Sequence, residues 1–415
     1  MQEQAAAPLP RVWYLTDGFF PPIVGGLEKH AFQLSSRWIA RGLPLTVITR
    51  KMEPDSPASE LYGNVPITRI PPVGILKGKG WQAVLPMLSL LVRVTCRLFT
   101  NADSYEIILV SGVRILSIPA VVLSRLLGKR CVIKSESPVE LWEDVSSQSR
   151  ERMQFPGVAP LLRAYRGIRN VILRRADRLV AISAEIGRQY LEIGIDPARI
   201  CPIPNGVNTE LFHPVPAREK KQLRMALGFP PEAAVFIFSG RLARTKGVMT
   251  LARVWRRLIQ GRPDIHLVIV GSGKSSVDDC EAELKEYVRS NRMEAQLSLA
   301  GEVDDVHRYL QSADVFVFPT DFEGFSLALV EAMVCGLPAV CTRSGAACEL
   351  IRDRQTGRLI EPKDAEDLQA ALEWMLEHRD GWPKMGKAAH DSTACRYSMD
   401  RVVNQYLELF ASLAG

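Results

Sequence analysis

The sequence lacks the short motifs that mark several common enzyme classes. Its eight cysteines include no C-x-x-C pair and no accompanying histidines at zinc-ligand spacing, so neither a redox dithiol nor a zinc site is predicted. The first strand-to-helix turn has no G-x-G-x-x-G, which argues against a nicotinamide enzyme. The segment Gly271-Ser-Gly-Lys-Ser resembles a P-loop, but the first glycine of that motif would fall at Val268, inside a predicted strand. A redox, zinc, dinucleotide or P-loop function is therefore disfavoured.

Long apolar runs and an export signal are also missing. The start, MQEQAAAPLP, has no basic residue followed by an apolar stretch, so no secretory signal is predicted. The longest apolar segment, residues 83–99, is short for a membrane span and contains Arg93 and Arg97, which favours a buried or interfacial helix. Cysteines without a disulfide pattern fit reduced thiols. We expect a soluble cytoplasmic chain, with peripheral contact at the inner face of the membrane left open.

Charge is distributed unevenly along the 415 residues. Residues 1–214 carry 26 lysines and arginines against 18 acidic residues, whereas residues 215–415 carry 26 against 28. An arginine-rich run, from Arg163 to Arg178, is predicted to place several guanidinium groups on one side of a helix. Such a face suits an anionic acceptor or an anionic membrane surface, and a solvated helix face is an equally good interpretation. No nucleic-acid partner is predicted.

The length and the order of predicted elements indicate two domains. Short apolar strands alternate with amphipathic helices from Val12 to Ile182, and the same alternation restarts at Val235 after a segment rich in Pro, Asn and Gly, residues 201–216. We predict an α/β fold with two Rossmann-like, doubly wound parallel sheets facing a central cleft. The predicted domains are residues 1–205 plus 397–415, the last of these a helix that crosses back, and residues 206–396. Ligands in such sheets bind beyond the carboxyl ends of the strands.

Two basic residues follow the first strand of the second domain. Gly240-Arg241 ends that strand and Lys246-Gly247 opens the next helix, so two cations and helix N–H groups are predicted near one point. A transferase of activated sugars must stabilise the negative charge that grows on a departing diphosphate, and fixed cations do this. Surface basic residues at a helix start are the simpler alternative.

Two glutamates lie eight residues apart around another helix start. Glu323 falls in a predicted loop and Glu331 inside the helix that follows, so both could face one elongated ligand at different depths. Glu331 has apolar neighbours at 327–329 and 332 and is predicted to interrupt a buried helix face.

These motifs together resemble the family-4 retaining glycosyltransferases of the GT-B fold. The resemblance covers nearly the whole chain, is strongest over residues 235–350, and rests on the following segments: Gly25-Gly26 with Glu28 and His30, Pro204-Asn205-Gly206-Val207, Gly240-Arg241 with Lys246-Gly247, and Glu323-Gly-Phe through Glu331-Ala-Met-x-x-Gly-Leu-Pro.

The resemblance implies a role for individual residues. Arg241, Lys246 and Glu323 would be the catalytic residues, with the two cations on the donor diphosphate and Glu323 on the donor sugar. The implied donor-binding residues are Gly25, Gly26, Asn205, Gly240, Gly271, Val303, Gly324, Phe325, Ser326, Leu327 and Glu331, of which Glu331 would contact the ribose and Val303 the base. The family also implies a UDP sugar ahead of a GDP sugar and no metal or other cofactor, in agreement with the absence of D-x-D here.

The sequence departs from the family pattern in the first domain. Many relatives carry a histidine after the strand that matches residues 131–133, but no histidine occurs here between His30 and His213. The acceptor or sugar candidates are therefore Glu28, His30, Ser135, Glu136 and Ser137. A second departure is Asn208, where an aspartate is more usual.

The predicted function is transfer of a hexose-type sugar, with retention, from a nucleotide diphosphate sugar to a glycan, lipid-linked or other hydroxyl acceptor. Two other functions stay open at this point: a nucleotide-sugar isomerase or epimerase on the same fold, and a non-catalytic sugar-nucleotide binder. The base, the sugar, the acceptor and the oligomeric state are not determined by the sequence.

Overall fold

The computed structural model describes residues 8–21, 25–53, 55–71, 81–137, 158–274, 276 and 278–414. The chain forms two compact units. The first contains residues 1–206 and 402–415, and the second contains residues 207–401.

The first unit is built on an eight-stranded sheet. Its strands follow the order β3-β4-β2-β1-β5-β6-β7-β8 across the sheet. All neighbours are parallel except β3 and β4, which form an antiparallel pair at one edge. The strands are β1 (Val12–Thr16), β2 (Leu45–Arg50), β3 (Ser59–Tyr62), β4 (Val65–Ile70), β5 (Ile107–Ser111), β6 (Arg130–Lys134), β7 (Arg178–Ala181) and β8 (Ile200–Pro202).

Helices cover this sheet. They are α1 (Gly26–Ala40), α2 (Trp81–Thr100), α3 (Ser117–Leu126), α4 (Val158–Leu173) and α5 (Ala184–Glu192). The final helix, which is numbered α14 (Met399–Leu413), contributes its residues from Val402 onward to the same unit. Trp38 of α1 is fully buried and packs edge-on against Tyr406 and Phe410 of α14, with ring centroids 4.9 and 5.6 Å away. Aromatic burial of this size holds the end of the chain to the first unit.

The second unit is built on a six-stranded, wholly parallel sheet in the order β11-β10-β9-β12-β13-β14. Its strands are β9 (Ala234–Ser239), β10 (Ile265–Val270), β11 (Leu297–Gly301), β12 (Val315–Phe318), β13 (Ala339–Thr342) and β14 (Gly357–Ile360). Its helices are α6 (Ala217–Ala226), α7 (Val248–Leu258), α8 (Glu281–Ser290), α9 (Val306–Ser312), α10 (Leu327–Val334), α11 (Ala347–Leu350), α12 (Ala365–Glu377) and α13 (Trp382–Thr393).

The central strands explain the sequence pattern. Every residue of β1, β9, β10, β12 and β13 is buried, as expected for parallel strands covered on both faces. The prediction of two parallel α/β sheets is therefore confirmed, and the antiparallel strand β3 is the exception that it missed. Three of the four β3 residues are exposed, so the strand carries little apolar signal.

The arginine run between 163 and 178 does not form one basic face, contrary to the sequence-based expectation. Arg163 is exposed on α4, Arg169 is buried with its guanidinium on the side chain of Asn170, and Arg178 begins β7. None of the helices within the described ranges is both long enough and apolar enough to cross a bilayer.

Candidate active site

The carboxyl ends of β9, β10 and β11 meet closely in the second unit. The Gly240 N–H donates to the Val270 carbonyl at 3.0 Å, and the Gly271 N–H donates to the Gly301 carbonyl at 2.7 Å. Gly271 has φ +137°, and a Cβ there would lie 1.8 Å from the Gly240 carbonyl oxygen. Only glycine fits at position 271, so the backbone of the strand ends can approach as closely as it does.

Lys246 and Glu323 form an ion pair at this same edge of the sheet. Lys246 ends a short 3-10 turn, residues 244–246, and Glu323 lies in the loop after β12. The Nζ atom of Lys246 lies 2.6 Å from Oε2 of Glu323, and the side chains are only 13% and 23% exposed. The ammonium also lies 5.6 Å from the centroid of the Phe318 ring. Low exposure and an aromatic neighbour limit screening by water, so each charge acts strongly on a ligand placed here.

Arg241 follows directly on the end of β9. Arg241 is exposed, and its guanidinium has no hydrogen-bond or ion-pair partner among the described residues. The backbone around it is fixed, because the Leu242 N–H donates to the Ser272 carbonyl at 2.9 Å. A free guanidinium on a fixed turn can bind an anion without first breaking another contact.

The loop from Glu323 to Leu327 is held by hydrogen bonds, both within the loop and to Ser344. The Glu323 N–H donates to Oγ of Ser344 at 2.9 Å, and the Gly324 N–H donates to Oε1 of Glu323 at 3.3 Å. Ser326 has φ +63°, an uncommon backbone conformation for a non-glycine residue, and its hydroxyl accepts from the Leu329 N–H at the start of α10. Strain of this kind concentrates at ligand-binding loops.

The aromatic residue of this loop points into the protein. Phe325 is 4% exposed and its ring lies 5.8 Å from the ring of Tyr397. It therefore anchors the loop through its side chain, while Gly324 beside it is also buried.

Glu331 lies one helical turn beyond Leu327 on α10. Both residues and Ala328 are half-buried, whereas the other α10 side chains are buried. Glu331 therefore belongs to the partly exposed face of α10, and the prediction that it interrupts the buried face is wrong. Burial raises the pKa of the Glu331 carboxyl to about 8. Its carboxyl has no hydrogen-bond or ion-pair partner among the described residues, and the Lys246–Glu323 pair does not touch it.

The loops after β10 and β11 are joined at one point. The Ser272 hydroxyl donates to Oε2 of Glu302 at 3.2 Å, and Val303 follows as a half-buried residue. An apolar side chain that keeps some exposure beside a polar loop can pack against a planar ligand.

The glycine pair of the first unit lies at the start of α1. Gly25 precedes the first helical residue, Gly26, in an extended conformation. The carboxylate of Glu28 folds back over this start, and a Cβ at position 25 would lie 2.1 Å from its Oε2 atom. Gly26 is exposed and has open space where a Cβ would be.

His30 of α1 reaches the Pro-Asn-Gly segment. Its Nε2 accepts from the Gly206 N–H at 3.1 Å, and burial, together with the charge of Lys134, holds its pKa well below the usual range. A neutral imidazole that accepts at Nε2 carries its proton on Nδ1. Within the described part of the chain, this Nδ1 and both amide atoms of Asn205, which is 1% exposed, have no hydrogen-bond partner. Buried polar atoms of this kind require a partner, either water or a ligand.

The remaining acceptor candidates surround a buried charge pair at the end of β6. The Nζ atom of Lys134 lies 3.0 Å from Oε1 of Glu136, with the side chains 3% and 15% exposed. The Ser111 hydroxyl donates to the same carboxylate oxygen. Burial, with the charge of Glu136, raises the pKa of Tyr14 above its usual range.

Ser135 and Ser137 complete this segment. The Ser135 hydroxyl donates to the Ser137 carbonyl at 3.0 Å, and the Ser135 N–H donates to the hydroxyl of Tyr190 at 3.1 Å. The hydroxyl of Ser135 is thus used internally, whereas Ser137 is half-buried.

The predicted residues therefore fall into two groups, one in each unit. In the second unit the structure pairs Lys246 with Glu323, and it leaves Glu331 apart from them. In the first unit it gathers Glu136 with Lys134, a residue that the sequence-based site did not include. The signal was present, because residues two apart at the end of a strand face the same way.

Metal-binding residues do not cluster in the described part of the chain. No group of three or more His, Cys, Asp or Glu side chains there could hold a metal ion.

Two family models match most of the chain. "Glycosyltransferase Family 4" matches residues 24–211, and "Glycosyl transferases group 1" matches residues 219–392. The second match contains Arg241, Lys246, Glu323 and Glu331.

Individual relatives are more distant. The chain is 33% identical over 249 residues to a D-inositol 3-phosphate glycosyltransferase of Corynebacterium urealyticum, and this alignment covers 58% of each chain. It is 28% identical to the lipopolysaccharide core biosynthesis mannosyltransferase LpsB of Rhizobium meliloti, over 60% of this chain and 69% of the relative. The first of these alignments thus spans little more than half the relative's length.

Among solved structures, Anabaena HepE in complex with UDP and glucose has a TM-score of 0.74 and 19% identity, and covers 97% of this chain and 100% of its own. At 19% identity, this similarity shows the fold alone. The fold is GT-B. With both halves matched by glycosyltransferase models and the fold of HepE present throughout, the chain belongs to glycosyltransferase family 4.

Proposed function

We propose that the chain transfers a hexose-type sugar, with retention of anomeric configuration, from a nucleotide diphosphate sugar to a hydroxyl acceptor. The observation that carries the proposal is the Lys246–Glu323 pair, 2.6 Å apart and largely shielded, at the carboxyl edge of the second sheet. Ligands of doubly wound sheets bind at this edge.

The pair offers the two kinds of group that a sugar diphosphate needs. Lys246 and Arg241 would supply positive charge for the diphosphate, and the Glu323 carboxylate would accept hydrogen bonds from sugar hydroxyls. The ammonium and carboxylate neutralise each other, which lowers the cost of holding both in a shielded position. Donor binding would give the ammonium an anionic partner, the diphosphate, and would give the carboxylate hydrogen-bond donors, the sugar hydroxyls.

The rest of the donor would extend along α10 and the neighbouring loops. Glu331 would accept from the ribose hydroxyls one turn below the start of α10, and Val303 would pack against the base. In the first unit, the amide of Asn205 and the N–H groups of Gly25 and Gly26 are proposed to bind phosphate oxygens, as the family resemblance implies. For Asn205 this role is supported by its buried amide, which has no partner among the described residues.

We place UDP ahead of GDP as the donor nucleotide, because HepE, which shares the fold, binds UDP and glucose. The reaction is proposed to need no divalent ion, since Arg241 and Lys246 can balance the charge on the leaving diphosphate. The acceptor is proposed to be a glycan or lipid-linked hydroxyl held by the first unit, and Glu136 is proposed to accept a hydrogen bond from it.

A binding and product experiment tests this proposal. We expect UDP and a UDP-hexose to raise the thermal unfolding temperature in the presence of EDTA, since a ligand at 100 times its Kd adds about 2.7 kcal/mol of stability. NMR of the product should show the anomeric configuration of the donor.

Three results would contradict the proposal. These are no stabilisation by any nucleotide sugar, an absolute requirement for a divalent ion, or conversion of the donor sugar into an isomer without any acceptor.

A further inference from the structure

Helix α2 is apolar on two opposite faces. Leu90, Val94 and Leu98 follow one another at four-residue spacing and are 4%, 2% and 1% exposed, so they form the face that packs into the first unit. The opposite face also carries large apolar side chains, and these are exposed: Leu85 is 66% exposed, Leu88 49%, Val92 60% and Phe99 61%. Their spacing of three, four and seven residues places them in one stripe.

A stripe of this kind needs an explanation. A helix that is apolar all round is normally covered on all sides, whereas a surface helix has a polar outer face. Contiguous exposed apolar surface on a folded chain marks a place where something else binds.

The neighbouring helices extend the apolar surface. Helix α2 packs on α3, and α3 packs on α4, so the three form one layer. Val122 and Leu126 of α3 are 41% and 75% exposed, and Ile168 and Val171 of α4 are 61% and 51% exposed. Among the described residues, nine of the seventeen exposed large apolar side chains belong to these three helices. We call the solvent-facing surface of α2, α3 and α4 the docking face.

Charge on these three helices has one sign. The sequences of α2, α3 and α4 contain six arginines and no aspartate or glutamate. Arg93, Arg97 and Arg163 are exposed, and within the described ranges none of them forms an ion pair. Apolar side chains flanked by cations without acidic partners complement a surface that is anionic outside and apolar beneath.

We propose that the docking face binds an anionic lipid bilayer, with its apolar side chains at the boundary between headgroups and acyl chains and its arginines on lipid phosphates. A second copy of the chain fits less well, because a two-fold interface would bring the same arginines against each other. This proposal stands apart from the donor chemistry, because it concerns a different surface of the first unit.

Vesicle co-sedimentation of the full chain tests it. We expect binding to phosphatidylcholine vesicles that contain phosphatidylglycerol, weak binding to phosphatidylcholine alone, and release from the anionic vesicles by salt. The triple variant Leu88→Gln/Val92→Gln/Phe99→Gln should lower the partition coefficient by about tenfold or more, because it removes most of the apolar stripe. Its matched control is Leu61→Gln/Leu211→Gln/Met225→Gln, which changes exposed apolar side chains elsewhere.

A second pair of variants changes charge alone. Arg93→Gln/Arg97→Gln should also weaken binding, by about thirtyfold, since each arginine near an anionic surface contributes about 1 kcal/mol. Arg289→Gln/Arg354→Gln makes the same change in net charge at exposed positions of the second unit and should have no effect. All variants change exposed side chains, so their thermal unfolding temperatures should match the parent.

Three outcomes would overturn the proposal. The first is absence of binding, or equal binding to neutral and anionic vesicles. The second is an equal loss in the control variants. The third is a chain that binds no vesicles and is a dimer by light scattering, whereas the triple variant is a monomer. That result would make the docking face an interface between copies.

Discussion

Replacing Lys246 with methionine removes a cation from the candidate donor site but keeps most of the side-chain volume. We expect Lys246→Met to lower kcat by about 10² or more, because the variant lacks the ammonium that stabilises the negative charge developing on the leaving diphosphate. Glu323→Gln should also lower kcat, since the neutral amide is a weaker acceptor for sugar hydroxyls.

The magnitude follows from the shielding of the site. A cation about 4 Å from a unit negative charge contributes up to about 4 kcal/mol at an effective dielectric near 20. Only the part gained between ground state and transition state appears in kcat, and about 2.7 kcal/mol corresponds to about 10². With 13% of the Lys246 side chain exposed, water cannot replace the ammonium fully.

The assay is initial-rate kinetics with saturating donor, together with urea unfolding of each variant. Lys220→Met is the matched control. The Nζ atom of Lys220 lies 3.3 Å from Oδ1 of Asp314, and the two side chains are 28% and 19% exposed, so Lys220 forms a similar ion pair in the same unit. Asp314 precedes β12, whereas Glu323 follows it, so the control removes a pair from the amino edge of the sheet. Both variants should lose about 1 to 3 kcal/mol of unfolding free energy, and only Lys246→Met should lose activity.

Two results would refute the reasoning. Wild-type turnover in Lys246→Met would remove Lys246 from the reaction. An equal loss of activity in Lys220→Met would show that general destabilisation, and not the charge at the donor site, is responsible.

Three further predictions concern stability, each measured by urea unfolding. Burial raises the pKa of Glu331 to about 8 in the folded protein, whereas the unfolded chain ionises this residue near pH 4.5, so its own contribution makes the unfolding free energy fall between pH 5 and 8, and Glu331→Gln should make the measured slope less negative by up to about 1.4 kcal/mol per pH unit; an unchanged slope would contradict it. Gly247→Ala should cost more than Gly228→Ala, because both have positive φ but only at 247 would the new Cβ meet a carbonyl oxygen, at 1.9 Å; equal costs would contradict it. Lys134→Met should cost about 3 to 5 kcal/mol by leaving a carboxylate uncompensated, and adding Glu136→Gln should restore part of this; no recovery in the double variant would contradict it.

Local sequence patterns were enough to identify the fold. Continuous apolar strands such as Val315–Phe318, alternating with amphipathic helices, can be buried only in a parallel sheet covered on both faces, and the structure has two of them. The pattern failed where burial is incomplete, as in the exposed strand Ser59–Tyr62.

Pairwise relations in the site were beyond the sequence. Nothing in the spacing of 77 residues predicts that Lys246 and Glu323 touch, and the contact arises because β9 and β12 are neighbours in the sheet. The resemblance to family 4 identified both residues, but not their pairing.

The sequence by itself thus determined the class of fold, the family and the residues that carry charge, because these depend on residue types and on periods of two and 3.6 residues that neighbours along the chain express. The tertiary structure alone decided which charges meet and which surfaces stay uncovered. The burial of the Lys134–Glu136 pair and the exposure of the outer face of α2 both depend on what packs against a residue from distant parts of the chain.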